Sequence, residues 1–197
     1  ALPILGVDLA ATSDLTAVAY LVVLDGTYYF KTHYYLPESA LKDKADKELY
    51  KYWKQQGYLT VTSGNVTDYD YITTDMLRYA DVVNIQSVGY DKYNATQWAI
   101  DSTEQGLPLE EYPQTLGNFN MPTRELERLI LSGKAVIDNN EINRYCFRNV
   151  TLKSDYNGNV KPNKAVDKKK IDGTIAMIQA LGMYLRTPHY TNEILTI

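Results

Sequence analysis

Apolar and polar positions alternate in short β-rich runs over the first part of the chain and then shift to helical spacing. Residues 2–8 (LPILGVD), 16–24 (TAVAYLVVL) and 27–35 (TYYFKTHYY) are rich in β-branched and aromatic side chains and predict three strands. Asp25 and Gly26 separate the last two runs, a pair that suits a two-residue hairpin turn. A charged amphipathic stretch then predicts a helix over 39–55, ended by Gly57. The pattern continues with a short run at 58–62, a helix over 69–80, and a strand over 85–91 (IQSVGYD). A helix over 95–104, a strand over 109–112 and a helix over 121–132, with Gly133 behind it, follow. Near the end, KKKIDGTIAMIQALGMYL is helical, and Asp172, Ala176 and Ala180 recur at i, i+4 and i+8 on one small-residue face that can press on a sheet. Three antiparallel strands followed by strands alternating with helices predict an α/β fold with a mixed β-sheet flanked by helices.

Composition narrows the class. The 197 residues suffice for one sizeable core, so a single domain over 1–197 is expected, with 188–197 as a C-terminal tail. At 45% hydrophobic and 22% charged residues the chain is globular, not disordered. A net charge of −4 gives no global attraction for nucleic acid, so any such contact must be local. One cysteine, Cys146, excludes an internal disulfide and a multi-cysteine zinc site, and suits a reducing compartment. His33 and His189 are too few and too far apart in sequence to suggest a metal cluster. The longest apolar run, 17–24, is too short to cross a bilayer, so no membrane partner is expected. The chain opens directly on its first strand, which suggests a domain taken from a longer protein. Tyr28, Tyr29, Tyr34 and Tyr35 fit half-exposed strands, where they pack rather than stack on bases. Ile194, Leu195 and Ile197 make the tail either a contact for another protein or a frayed terminus.

Three aspartates carry the candidate chemistry. Asp8 and Asp91 each close an apolar run, and Asp172 opens the last helix. Hard cations such as Mg²⁺ and Mn²⁺ take oxygen ligands, and a pair of them clamps the attacking and leaving oxygens of a phosphodiester. Gathered together without a cation, three carboxylates would raise one another's pKa. The alternative is that each merely ends a strand or caps a helix. Asp14, in the turn TSDLTA, is read first as a turn former and second as a further metal contact. Asp167 reads as a helix N-cap. Residues 153–170 carry six lysines against two aspartates, and Asn157-Gly158 predicts a β-ribbon of 151–156 and 159–161. Lys161, Lys164, Lys168, Lys169 and Lys170 are thus candidates for sequence-independent contact with DNA phosphates, against the alternative of a solvated face.

Three blocks, GVDLAATSDLTAVAYL, GYDKYNA and KKKIDGTIAMIQAL, resemble in order and wording the signatures of the C-terminal nuclease domain of the large terminase subunit of tailed bacteriophages. The resemblance covers essentially the whole chain. It implies an RNase H-like mixed sheet and metal-dependent endonucleolytic cleavage of concatemeric viral DNA during genome packaging, in the host cytoplasm. It places the metal ligands at Asp8, Asp91 and Asp172, with Mg²⁺ or Mn²⁺, two ions, as cofactor. The implied partners are double-stranded DNA, the ATPase domain N-terminal to it in the same protein, the small terminase subunit and the portal. This chain lacks a G-x-x-x-x-G-K-[ST] phosphate loop, so the ATPase itself is absent from it. Three alternatives remain at this level: an actin-like ATPase, a non-catalytic docking module, and another RNase H-like nuclease such as a resolvase or RNase.

Overall fold

In the computed structural model, which describes residues 1–10, 12, 14–43, 45–93, 95–166 and 169–187, strands β1 (Ile4–Asp8), β2 (Thr16–Leu24) and β3 (Thr27–Pro37) form an antiparallel meander. The hairpin between β2 and β3 turns on Asp25 and Gly26, at φ 48° and 73°, as the residue pair predicts. Beyond β3 come the short helices α1 (Ala40–Asp43) and α2 (Lys47–Gln55), strand β4 (Thr60–Thr62) and helix α3 (Tyr69–Ala80). Then follow β5 (Ser87–Tyr90), α4 (Thr96–Glu104), β6 (Leu109–Glu111), α5 (Leu116–Leu131), β7 (Ala135–Ile137) and α6 (Glu141–Arg148). The ribbon β8 (Val150–Ser154) and β9 (Val160–Lys164) and the long helix α7 (Asp172–Arg186) complete the described chain.

The main sheet runs β4-β3-β2-β1-β5-β6, with β7 also paired to β3. β5 lies parallel to β1 and β6 parallel to β5, whereas β4 and β7 run parallel to β3 on separate stretches of its edge. This is the mixed sheet expected from the sequence. Helices cover both faces. On one, Ile72 and Met76 of α3 and Trp98 of α4 pack on Leu5, Val7 and Val18. On the other, α5, α6 and α7 bring Phe119, Cys146 and Ala176 against Ile4, Ala17 and Phe30.

Helix α7 is buried from Gly173 to Met183, which explains its nearly uninterrupted apolar sequence. The small face read from its spacing does meet the sheet. A Cβ at Gly6 of β1 would collide with the Ala176 carbonyl and the Ala180 backbone nitrogen, so only glycine lets helix and strand approach this closely.

Several local expectations need correction. The helix expected over 39–55 is broken into α1 and α2. The helix expected from residue 121 begins at Leu116, capped by the Thr115 hydroxyl, which accepts from Asn118 N. Pro122 sits inside it and cannot donate to the Asn118 carbonyl; the Tyr112 hydroxyl donates to that oxygen instead, at 2.7 Å. Tyr34 and Tyr35 are fully buried rather than half-exposed, because β3 is covered on both faces there. The ribbon is shifted, and its turn spans 155–159, where the Asp155 carboxylate accepts from Asn157 N and Asn159 N. It is tied down on α5: Val160 N donates to Asn120 Oδ1 at 2.9 Å and Arg124 donates to the Gly158 carbonyl at 2.6 Å.

Candidate active site

The parallel pairing of β1 with β5 ends with Val7 opposite Tyr90, so Asp8 and Asp91 are the next residues on adjacent strands. Both thus stand at the carboxyl ends of parallel strands, where open α/β sheets place their sites. Asp172 is the first residue of α7, and the Gly6 seam draws that helix onto β1. The local electrostatics reflect neighbouring charges. Burial raises the Asp8 carboxyl to about 8, with the Asp172 and Asp91 charges adding to the rise and Gln114 and Lys164 opposing it. Burial, then the Asp14 charge, lifts Asp172 to about 6, against Lys164 and Lys170.

Hydrogen bonds define the details. Gln114 Nε2 donates to Asp8 Oδ1 at 2.8 Å, and Gln114 N donates to Asp91 Oδ2 at 2.7 Å. Tyr93 N donates to the other Asp91 oxygen at 2.9 Å. Asp172 Oδ2 is buried without a hydrogen-bond partner. A cleft of about 550 Å³ opens beside Asp8, Asp91, Gln114 and Lys161.

The other residues singled out in the sequence distribute unevenly. Asp14 pairs with Lys170 Nζ at 2.5 Å and accepts from Leu15 N at 2.9 Å. Burial would raise its carboxyl, but the Lys170 contact outweighs burial and holds it low. Lys161 donates to the Gln114 carbonyl and lies over the Phe119 ring, 5.6 Å from its centroid. Lys164 offsets the Asp8, Asp14 and Asp172 charges. Lys169 leans instead over Tyr145, at 5.6 Å. Asp167, Lys168, His189 and the tail lie outside the described residues. His33 belongs to a different surface, where it faces Asp75 at 3.5 Å.

The donor set is all oxygen and suits a hard cation, and the buried, unpartnered Asp172 oxygen near the half-buried Asp8 carboxylate is what an ion would satisfy. Among the described residues, no three acidic, histidine or cysteine side chains gather closely enough as a group to hold one. Gln114 was missed in the sequence. The available signal was its place three residues beyond β6, at the same carboxyl edge as Asp8 and Asp91.

A mixed sheet of this order flanked by helices is the architecture of an RNase H-like fold. The family model for the terminase large subunit, endonuclease domain, matches residues 2–187, and the chain belongs to that family. It is 28% identical to the large terminase subunit of Enterobacteria phage HK97 over 182 residues, covering 90% of this chain and 36% of that protein. The HK97 large terminase crystal structure superposes with a TM-score of 0.84 at 27% identity, covering 92% of this chain and 39% of that one. Protein YmfN of Escherichia coli K12 is 32% identical over 197 residues, covering 91% of this chain and 42% of that protein. The chain therefore spans well under half the length of these relatives. The large terminase nuclease of thermophilic phage G20c, solved with bound magnesium, shares the fold at a TM-score of 0.61 and 12% identity, covering 91% of this chain and 80% of that one. Among the described residues no helix is long and apolar enough to cross a membrane.

Proposed function

We propose that this chain is a divalent-metal-dependent endonuclease that cuts concatemeric viral DNA during genome packaging. It would work beside an N-terminal ATPase domain of the same protein, the small terminase subunit and the portal, in the host cytoplasm. The observation that carries the reading is that Asp8 and Asp91 end adjacent parallel strands while Asp172 opens the helix packed on β1, its charge adding to the burial that raises the Asp8 carboxyl. These three side chains would hold two Mg²⁺ or Mn²⁺ ions. When bound, such ions make water nucleophilic at neutral pH and offset charge on the scissile phosphate.

The remaining steps belong to the protein. Asp8, between Asp91 and Asp172, is the residue shared by both halves of the site. Burial raises the Asp8 carboxyl to about 8, so a cation must displace its proton and should bind more tightly as pH rises toward 8. Lys161 and Lys164 on β9 and Lys170 before α7 supply local positive charge, which draws a DNA backbone to an otherwise acidic protein. Asp14 holds Lys170 beside Asp172.

Supercoiled-plasmid cleavage in Mg²⁺, Mn²⁺ or EDTA, by the wild type and the folded Asp91→Ala variant, tests the proposal. Nicking and linearisation that need the metal and vanish in the variant support it. Equal cutting by both proteins assigns the activity to another site. In a second assay, Lys161→Ala and Lys164→Ala should each reduce the slope of log affinity against log salt by about 1 on any DNA sequence.

A further inference from the structure

Gln114 bonds to both strand-end carboxylates at once, its main chain to Asp91 and its side chain to Asp8. Its peptide is fixed from every direction. Pro113 precedes it, Thr115 behind it caps α5, its N–H is held by Asp91, and its carbonyl accepts from Lys161. Only the side chain is free to turn. An Asp8 oxygen that accepts a hydrogen bond from an amide N–H has one lone pair committed, so a hard cation that binds through that oxygen competes with Gln114 for it. Rotation of the half-buried Gln114 side chain into the adjoining cleft frees Asp8 without moving the backbone, and an amide flip presents Oε1, an acceptor, in place of the donor.

We propose that Gln114 is a positioning residue that bridges Asp8 to Asp91 in the ion-free site and must release Asp8 when a divalent cation binds, so that its side chain sets the site's cation affinity. The bridge stands in for the cation by placing donors on two carboxylates that would otherwise repel. Because Lys161 grips the same peptide, the β8–β9 ribbon is linked to the carboxylates through one residue. The inference rests on the reading of these carboxylates as a cation site.

The test is MnCl₂ titration by calorimetry on the DNA-free protein, with melting in EDTA alongside, for wild type, Gln114→Ala, Gln114→Glu and Asp91→Ala. Gln114→Ala should bind Mn²⁺ about ten-fold more tightly, the equivalent of one lost hydrogen bond to a charged group, and melt lower in EDTA. Gln114→Glu, which preserves the side chain's shape, should shift both further in the same directions. Affinities and melting points unchanged from wild type in both variants would overturn the proposal, as would weaker Mn²⁺ binding in Gln114→Ala. Mn²⁺ binding that is absent in the wild type, or unaffected by Asp91→Ala, would instead sink the cation-site reading beneath it.

Discussion

Gly6 and Asp8 lie two residues apart on β1 and so point to the same face of the sheet, toward α7, yet they meet opposite conditions. At Gly6 the backbones of strand and helix touch, and even a methyl group has no room. At Asp8, two residues further along the strand, a half-buried carboxylate feels the Asp172 charge, and both desolvation and like charge oppose its ionisation. The difference shows a division of labour along one seam. Close packing at Gly6, Ala176 and Ala180 sets α7 on β1, and α7 opens with Asp172, whose charge reaches Asp8. On the proposed reading, stability and chemistry come from adjacent stretches of the same contact.

The comparison breaks most completely if the seam is filled. Gly6→Val should destabilise the domain by more than about 4 kcal/mol, since backbone cannot give way as a flexible side chain can, and should yield little soluble protein. A chemical-denaturation midpoint close to wild type would show that α7 can shift outward, and with it that the seam does not fix Asp172.

The opposite end of the comparison responds to pH. Asp8 and Asp172 have raised carboxyl pKa values in the folded protein, about 8 and about 6, against an ordinary value near 3.8. The folded state therefore holds protons that the unfolded chain has released, and ion-free stability should be full below about pH 4 for these groups and fall as pH rises through 6 and 8. In urea denaturation with EDTA at a series of pH values, Asp8→Asn should flatten the decline between pH 6 and 9. Saturating Mn²⁺ should flatten it in the wild type, because a bound cation favours the ionised form. A decline unchanged in Asp8→Asn would mean that Asp8 is not the strained group.

The smallest effect is expected on the far face of the sheet, where Trp98 Nε1 donates to Thr73 Oγ1 at 2.9 Å and Thr73 meets Ser102 at 2.9 Å. Thr73→Val leaves the buried indole N–H unpaired and should cost about 1–3 kcal/mol of stability, read from the denaturation midpoint, while Mn²⁺ affinity stays at the wild-type value. A change in Mn²⁺ affinity would show that the two faces of the sheet are coupled, contrary to the division drawn above.

Much of this architecture was legible in the sequence. The bounds of β2 and α3 follow from their periodicity alone, and the spacing of Asp172, Ala176 and Ala180 announced a face that would meet the sheet. What escaped depends on distant partners. β7 is three residues long and exists because Tyr28–Phe30 of β3, over 100 residues earlier, offer an open edge. The first turns of α5 were hidden by Pro122, whose lost hydrogen bond is replaced by a tyrosine hydroxyl from outside the helix. Gln114 acts partly through its main-chain N–H, which no side-chain pattern can reveal. The three aspartates were legible because each closes or opens a regular element; that Asp8 and Asp91 end adjacent strands was not, since it is a property of strand order.

The most direct test of the site is anomalous diffraction at the manganese edge from crystals of this domain grown or soaked in MnCl₂. The account predicts an anomalous peak bounded by Asp8, Asp91 and Asp172, with the Gln114 side chain turned away from Asp8. Manganese bound elsewhere, with the Gln114 bonds to Asp8 and Asp91 intact at saturating metal, would contradict it.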